Sequence, residues 1–281
     1  MNSNWSDRKY KIAFFDFDYT IINVNSSNYL NKLVIEYEAA RDLNSKSYTP
    51  SISTLNKYKY SAEIEQLLEK NDMTKRQNAI YKYMHSNLNI KRETMEKCLS
   101  DIVITESMKQ LFNFLVQNNF ELVIVSDSNT FLIETILRKN NLVSLFEPLE
   151  KKILANRAFF DGFGCLNVIP LNKEFNENGE IFSCTNNAFC RKNICKGSVI
   201  ENFLQKNNGP QQNHILLYMG DGKIDFCAAT KLRFDDKVFV KNNSSLSKLL
   251  KEDELKNKIK SSVVYWKNAY DILNHLQSII S

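Results

Sequence analysis

K-I-A-F-F-D-F-D-Y-T-I-I, residues Lys11–Ile22, decides the fold. Ile12 to Phe15 is a short apolar run bounded by polar residues, the pattern of a strand buried on both faces. Asp16 and Asp18 follow where such a strand leaves its sheet. Side chains two apart on extended backbone point the same way, so both carboxylates can face one cleft. Open α/β sheets bind ligands just outside the carboxyl ends of their strands. Two carboxylates there can divide labour, one attacking as nucleophile while the other shuttles a proton. Thr20 adds a hydroxyl one turn on. Taken alone, D-x-D-x-T also suits a solvated acidic turn.

Two more apolar runs repeat the design. Leu122–Val125 ends in Ser126-Asp127-Ser128-Asn129, and Leu216–Met219 ends in Gly220-Asp221-Gly222-Lys223-Ile224-Asp225. Glycines on both sides of Asp221 let the backbone approach a ligand closely, although an ordinary tight turn reads the same way. Between the runs lies Lys196, in a polar stretch with several cysteines. Ser107–Gln117, Thr130–Lys139, Ser198–Gln205, Phe226–Lys231 and Tyr270–Ile280 have helical spacing. Lys152–Ala155, Lys237–Val240 and Val263–Trp266 read as further strands, the last at an edge. Phe160–Cys165 carries hairpin turn chemistry. Strands alternating with helices predict an α/β fold, a doubly wound, Rossmann-like parallel sheet.

Asn28–Arg41, Tyr60–Leu68, Lys75–Leu88 and Ile90–Leu99 are helical in period with no strand among them. The chain therefore divides into a core of residues 1–24 and 101–281 and a helical insertion, residues 25–100, placed as a cap over the cleft. Another helical layer of the core is the alternative.

F-D-F-D-Y-T-I-I, I-V-S-D-S-N-T-F, F-S-C with C-R-K-N-I-C-K, Y-M-G-D-G-K-I-D-F-C and S-V-V-Y-W resemble, in order, the phosphoethanolamine/phosphocholine phosphatase and pyridoxal phosphate phosphatase family of the haloacid-dehalogenase (HAD) superfamily. The similarity is weakest over Val34–Ser100. It implies a HAD-like core and a phosphoric monoester hydrolase that acts through an aspartyl-phosphate. By resemblance Asp16 is the nucleophile and Asp18 the acid and base. Thr20, Ser126, Asp127 and Lys196 contact phosphate or substrate. Asp16, the backbone carbonyl of Asp18, and Asp221 hold Mg²⁺, with Asp225 supporting that shell. Oxygen ligands of this kind suit Mg²⁺. Asp127 could instead cap the following helix.

Two positions depart from the family pattern. Ser27 stands where the family has an acid thought to contact the substrate's head. Ile224, beside Lys223, stands where it has Asn, and Ile cannot hydrogen-bond a phosphate. The expected substrate is a small phosphomonoester, pyridoxal phosphate-like or a phosphoethanolamine or phosphocholine. A catalytically weak protein that binds a phosphorylated metabolite or a protein partner is the alternative.

Composition agrees with an enzyme of this kind. The 281 residues are 43% hydrophobic and 11% aromatic, enough for a substantial core. A net charge of +5, with lysines scattered among acids, gives no stripe for nucleic acid. No apolar run is long enough to span a bilayer, and Met1–Lys11 has no apolar segment of a leader. A cytoplasmic protein with reduced thiols is expected. A glycan on the Asn25-Ser26-Ser27 sequon would block the cleft, which points the same way. Cys184, Cys190 and Cys195, with Cys165, could bind zinc, but no Cys-x-x-Cys pair is present and the spacing is looser than structural zinc sites usually show. The resembled family carries a cysteine-rich segment here too, so fold or redox sensitivity is the alternative. His85, His214 and His275 match no catalytic motif. Oligomeric state is not legible.

Overall fold

The computed structural model describes residues 10–42, 73–171, 189–207 and 214–280. Seven strands form one sheet: β1 (Tyr10–Phe15), β2 (Phe120–Asn129), β3 (Ile153–Phe160), β4 (Leu166–Ile169), β5 (His214–Gly220), β6 (Lys237–Lys241) and β7 (Ser262–Trp266). Their order is β4-β3-β2-β1-β5-β6-β7, parallel throughout except for the β3–β4 hairpin. The chain steps outward from β1 through β2 and β3, then returns to β1's other edge as β5. This reversal opens a crevice at the carboxyl ends of β1, β2 and β5.

Period-two alternation builds a core on each face of the sheet. Ala13, Phe15, Leu122, Ile124, Leu217, Met219 and Phe239 join one apolar cluster. Ile12, Phe14, Val123, Val125, Leu216, Tyr218, Val238 and Val240 join the other. Helices α1 (Ser26–Asp42), α2 (Met73–Ser86), α3 (Arg92–Leu99), α4 (Glu106–Gln117), α5 (Thr130–Lys139) and α8 (Ala269–Ile280) pack into the first. Helices α6 (Lys196–Asn207) and α7 (Asp225–Ala229) pack into the second. The sheet is doubly wound, as the alternation of elements predicts.

Local sequence sets the helix ends. Thr105 accepts from Met108 N at the start of α4, and Asn129 from Leu132 N at the start of α5. Asn129, not Asp127, is therefore the cap of α5. Both helices stop on an Asn-Asn pair whose second member, Asn119 or Asn141, takes a left-handed φ of 63° or 58°. In the β3–β4 turn, Asp161 Oδ1 accepts from Phe163 N and Cys165 N at 3.0 and 2.9 Å, with Gly164 at φ 85°.

Of the insertion, α1, α2 and α3 are described. The expected helix Tyr60–Leu68 and Cys184 lie outside the described residues. Leu30, Leu33 and Val34 of α1, Tyr81 and Met84 of α2, and Met95 and Leu99 of α3 are buried in the cluster that begins on the sheet at Phe15. Ser27 on α1, Thr74 and Gln77 on α2, and Asp127, Asn156 and Asn193 from the core line one polar cleft.

Candidate active site

Asp16 is the first residue past β1, and its N–H still pairs with Met219 O at 2.9 Å. The chain then turns sharply. Asp18 (φ −68°, ψ 132°) and Tyr19 (φ 60°, ψ −1°) have the dihedrals of a type II turn. A non-glycine residue at the second central position is strained, and such strain gathers at functional sites. The Tyr19 carbonyl accepts from Lys241 Nζ, which reaches over from the end of β6.

Asp16, Asp221 and Asp225 bring carboxylate oxygens within 4.8 Å of one another. Lys196, 1% exposed at the start of α6, sits between two of them, its Nζ 2.6 Å from Asp16 Oδ1 and 2.6 Å from Asp225 Oδ1. Burial alone would lower the Lys196 pKa, but Asp16 and Asp225 outweigh it and hold the ammonium charged. Burial, reinforced by the charge of Asp225, raises Asp16 well above the ordinary carboxylate range. Burial and Asp225 likewise push Asp221 up to about 6.

The four carboxylates are not equivalent. Asp225 is saturated: Oδ1 accepts from Lys196 and from Tyr218 Oη (2.6 Å), and Oδ2 from the N–H groups of Asp221 (3.0 Å) and Gly222 (2.7 Å). It orders the Gly220–Asp221–Gly222 turn and has no lone pair left over. That turn requires glycine at its first position, because a Cβ on Gly220 would stand 2.7 Å from Asp225 Cγ. Asp221 takes one hydrogen bond on its carboxylate, from Thr20 Oγ1 at 3.3 Å. Asp16 Oδ1 accepts from Phe17 N at 2.7 Å and from Lys196, while its Oδ2 accepts none among the described residues.

Asp18 is held by different partners. Ser26 N donates to Oδ1 at 3.0 Å and Asn25 Nδ2 to Oδ2 at 2.9 Å. Burial exceeds these hydrogen bonds and pushes its pKa up to about 7. The sequon asparagine is thus committed to the site. Ser126, fully buried, accepts from Ser128 N at 3.1 Å, and Ser128 Oγ meets Ser26 Oγ at 2.9 Å. Asp127 pairs with Arg191, and its charge is felt at Asp16, Asp18 and Lys196.

The structure therefore gathers Asp16, Lys196, Asp221, Asp225 and Thr20 into one hydrogen-bonded set. Asp18, Ser126 and Asp127 stand around it on the ends of β1 and β2. Asn25, Ser26, Ser128, Tyr218, Arg191 and Lys241 also belong to this surrounding and were not read from the sequence. Lys241 offers the one signal of position, since it closes a strand beside β5.

Among solved structures, a substrate-bound phosphoserine phosphatase complex shares the fold with a TM-score of 0.53 at 15% identity, covering 95% of this chain and 99% of its own. The fold is thus the α/β fold of the HAD type. The chain belongs to the family described as "Putative Phosphatase", whose sequence model matches residues 43–280, which makes it a phosphatase, a phosphoric monoester hydrolase. A probable phosphatase phospho2 of Xenopus tropicalis is 29% identical over 272 residues, 96% of this chain and 98% of its own. The human pyridoxal phosphate phosphatase PHOSPHO2 is 28% identical over 273 residues, again 96% and 98%.

Proposed function

We propose that this chain is a Mg²⁺-dependent phosphatase of a small phosphomonoester that forms an aspartyl-phosphate on Asp16. The observation that carries the proposal is the contrast between two neighbouring carboxylates. Asp16 has an oxygen free of protein hydrogen bonds beside a buried ammonium. Asp18 has both oxygens engaged, by Ser26 N and Asn25 Nδ2, and no cation paired with it among the described residues. That is the division expected of a nucleophile and a proton shuttle.

In this reading a carboxylate oxygen of Asp16 attacks phosphorus in line with the ester oxygen. Asp18, protonated, gives its proton to the departing alcohol. As a carboxylate it then takes a proton from the water that attacks the phosphorus of the aspartyl-phosphate, releasing phosphate and restoring Asp16. Lys196 spends two of its three N–H donors on Asp16 and Asp225, leaving the third for a phosphoryl oxygen. Ser126 is the hydroxyl donor at the end of β2.

The donor set fits a hard divalent cation, being oxygen-only and carboxylate-rich. Asp16, the Asp18 carbonyl and Asp221 would hold Mg²⁺, and the saturated Asp225 would keep Asp221 in place. When bound, Mg²⁺ supplies the positive charge that offsets repulsion between these carboxylates and a phosphate dianion.

The insertion, residues 25–100, serves in this reading as a cap, and the small cleft at Ser27, Gln77 and Asp127, about 20 Å³ here, would widen to receive the alcohol portion of the substrate. Arg191 neutralises Asp127, and Ser27 brings no charge. Both disfavour a cationic head and favour a pyridoxal phosphate-like ester, the substrate in the human relative's name. Kinetics on pyridoxal phosphate, phosphocholine and phosphoethanolamine, with and without Mg²⁺, test this. The expected result is Mg²⁺-dependent turnover led by pyridoxal phosphate, with Ser27→Asp gaining roughly 5- to 150-fold on the cationic esters alone. A wild-type preference for phosphocholine overturns the assignment.

A further inference from the structure

The first stretch of α6 touches a second cluster, made of sulfur. Cys190 Sγ lies 3.7 Å from Cys195 Sγ, and Cys195 Sγ lies 3.6 Å from Cys227 Sγ. All three sulfurs fall within 4.8 Å of one another and none is in a disulfide. Cys165 is not among them, Cys184 lies outside the described residues, and Cys227 is the third thiol. The grouping is built from two directions. Cys190 and Cys195 flank a four-residue turn closed by a bridge between Arg191 and Ile194, and a four-residue spacing lies within the range of thiolate zinc sites. Cys227 enters from α7, which approaches α6 so closely that a Cβ on Gly197 would stand 2.7 Å from its Sγ.

We propose that Cys190, Cys195 and Cys227 form a structural zinc site, separate from the carboxylate cluster. A tetrahedral ion with Zn–S bonds of about 2.3 Å sets its sulfurs about 3.8 Å apart, close to the observed spacings. Among the described residues, the three thiolates fill three of the four positions. Softness sorts the cations: thiolates take Zn²⁺, whereas the all-oxygen cluster takes a hard ion. The consequence is mechanical. Cys195 precedes Lys196, and Cys227 follows Asp225 by two residues, so one ion would fasten together the two segments that present that buried pair. The site itself stands without the phosphatase reading.

Titration of the full-length, reduced, metal-free protein with Co²⁺ tests it, because thiolate-to-cobalt charge transfer absorbs in the near ultraviolet and carboxylate-bound cobalt does not. The expected result is a saturable band at one ion per chain, displaced by Zn²⁺ and unchanged in Asp221→Asn and Cys98→Ser. Cys227→Ser should weaken binding by at least about tenfold. Cys190→Ser should do the same, and Cys190, half-buried, is the member whose replacement least disturbs packing. No band in the wild-type protein, or an undiminished band in Cys190→Ser with a native circular dichroism spectrum, overturns the proposal.

Discussion

At Asp18 a single number has kinetic consequences. A carboxyl with a pKa of about 7 is protonated below neutrality, when it can act as the acid. kcat/KM on an alkyl phosphate should therefore fall as pH rises through about 7, and a rate that keeps climbing to pH 9 would contradict the role. Asp18→Asn should cost about 10²–10⁴-fold on alkyl esters. An aryl phosphate, whose phenolate leaves with little help, should lose less in its first half-reaction. Burst kinetics on the two substrates measure the difference. Lys196 answers to a different readout. Among the described residues it is the one cation paired with both Asp16 and Asp225, so Lys196→Met should cost about 3–5 kcal/mol of stability as well as activity. Denaturant melts of apo protein would show it. A stability unchanged within about 0.5 kcal/mol would mean that the buried charges are compensated otherwise.

Among the elements, the turn after β5 and the first strands explain what was legible. Apolar runs at Ile12–Phe15, Leu122–Val125 and Leu216–Met219 showed three parallel strands because burial on both faces leaves no polar residue in them. Their ends were hidden. β2 runs on to Asn129 through polar residues, with a register shift against β3 between Val125 and Asn129, and β3 reaches Phe160 because β4 pairs with it. Neither follows from hydrophobicity. Asp16, Asp18, Lys196 and Asp221 could be placed by motif order, whereas Arg191, Lys241 and Tyr218 join the site, and Cys227 the sulfur cluster, through tertiary approach. Gly220 and Gly222 look alike in sequence and differ in space. Gly220→Ala should destabilise the protein by about 1–3 kcal/mol, since Asp225 cannot yield without releasing Lys196. Gly222→Ala, whose Cβ would lie 3.4 Å from the same carboxylate oxygen, should cost less. Thermal melts of the two rank them, and equal losses would refute the packing argument. At the amino end of β5, buried His214 has no hydrogen-bond partner for either ring nitrogen among the described residues. Burial, helped by Arg233 and opposed by Asp236, lowers its pKa below the ordinary 6.5; Tyr10 packs edge-on against the ring. The unfolded chain then binds a proton that the fold refuses, so this contribution is intact above pH 6.5 and is lost as pH falls toward the depressed value. His214→Phe should flatten stability between pH 7 and 5 relative to wild type, as urea midpoints would report.

For the molecule as a whole, α1–α3 belong to the same apolar cluster as the sheet, and α1 and α2 also line the cleft beside Asp127. If these helices act as the proposed cap, a core shared with the sheet predicts closure by small shear rather than by a wide swing. Amide exchange with and without fluoroberyllate, an acyl-phosphate mimic, should show added protection in α1 and α2 as well as at the ends of β1, β2 and β5. Protection confined to the sheet would remove the cap from the mechanism. No described helix is long and apolar enough to cross a membrane. The central claim, however, is covalent. Acid quenching during turnover of pyridoxal phosphate, followed by peptide mass spectrometry, should find one phosphoryl group on the peptide that carries Asp16, and none in Asp16→Asn. Turnover that survives in Asp16→Asn, or a phosphoryl group on any other residue, would contradict the account.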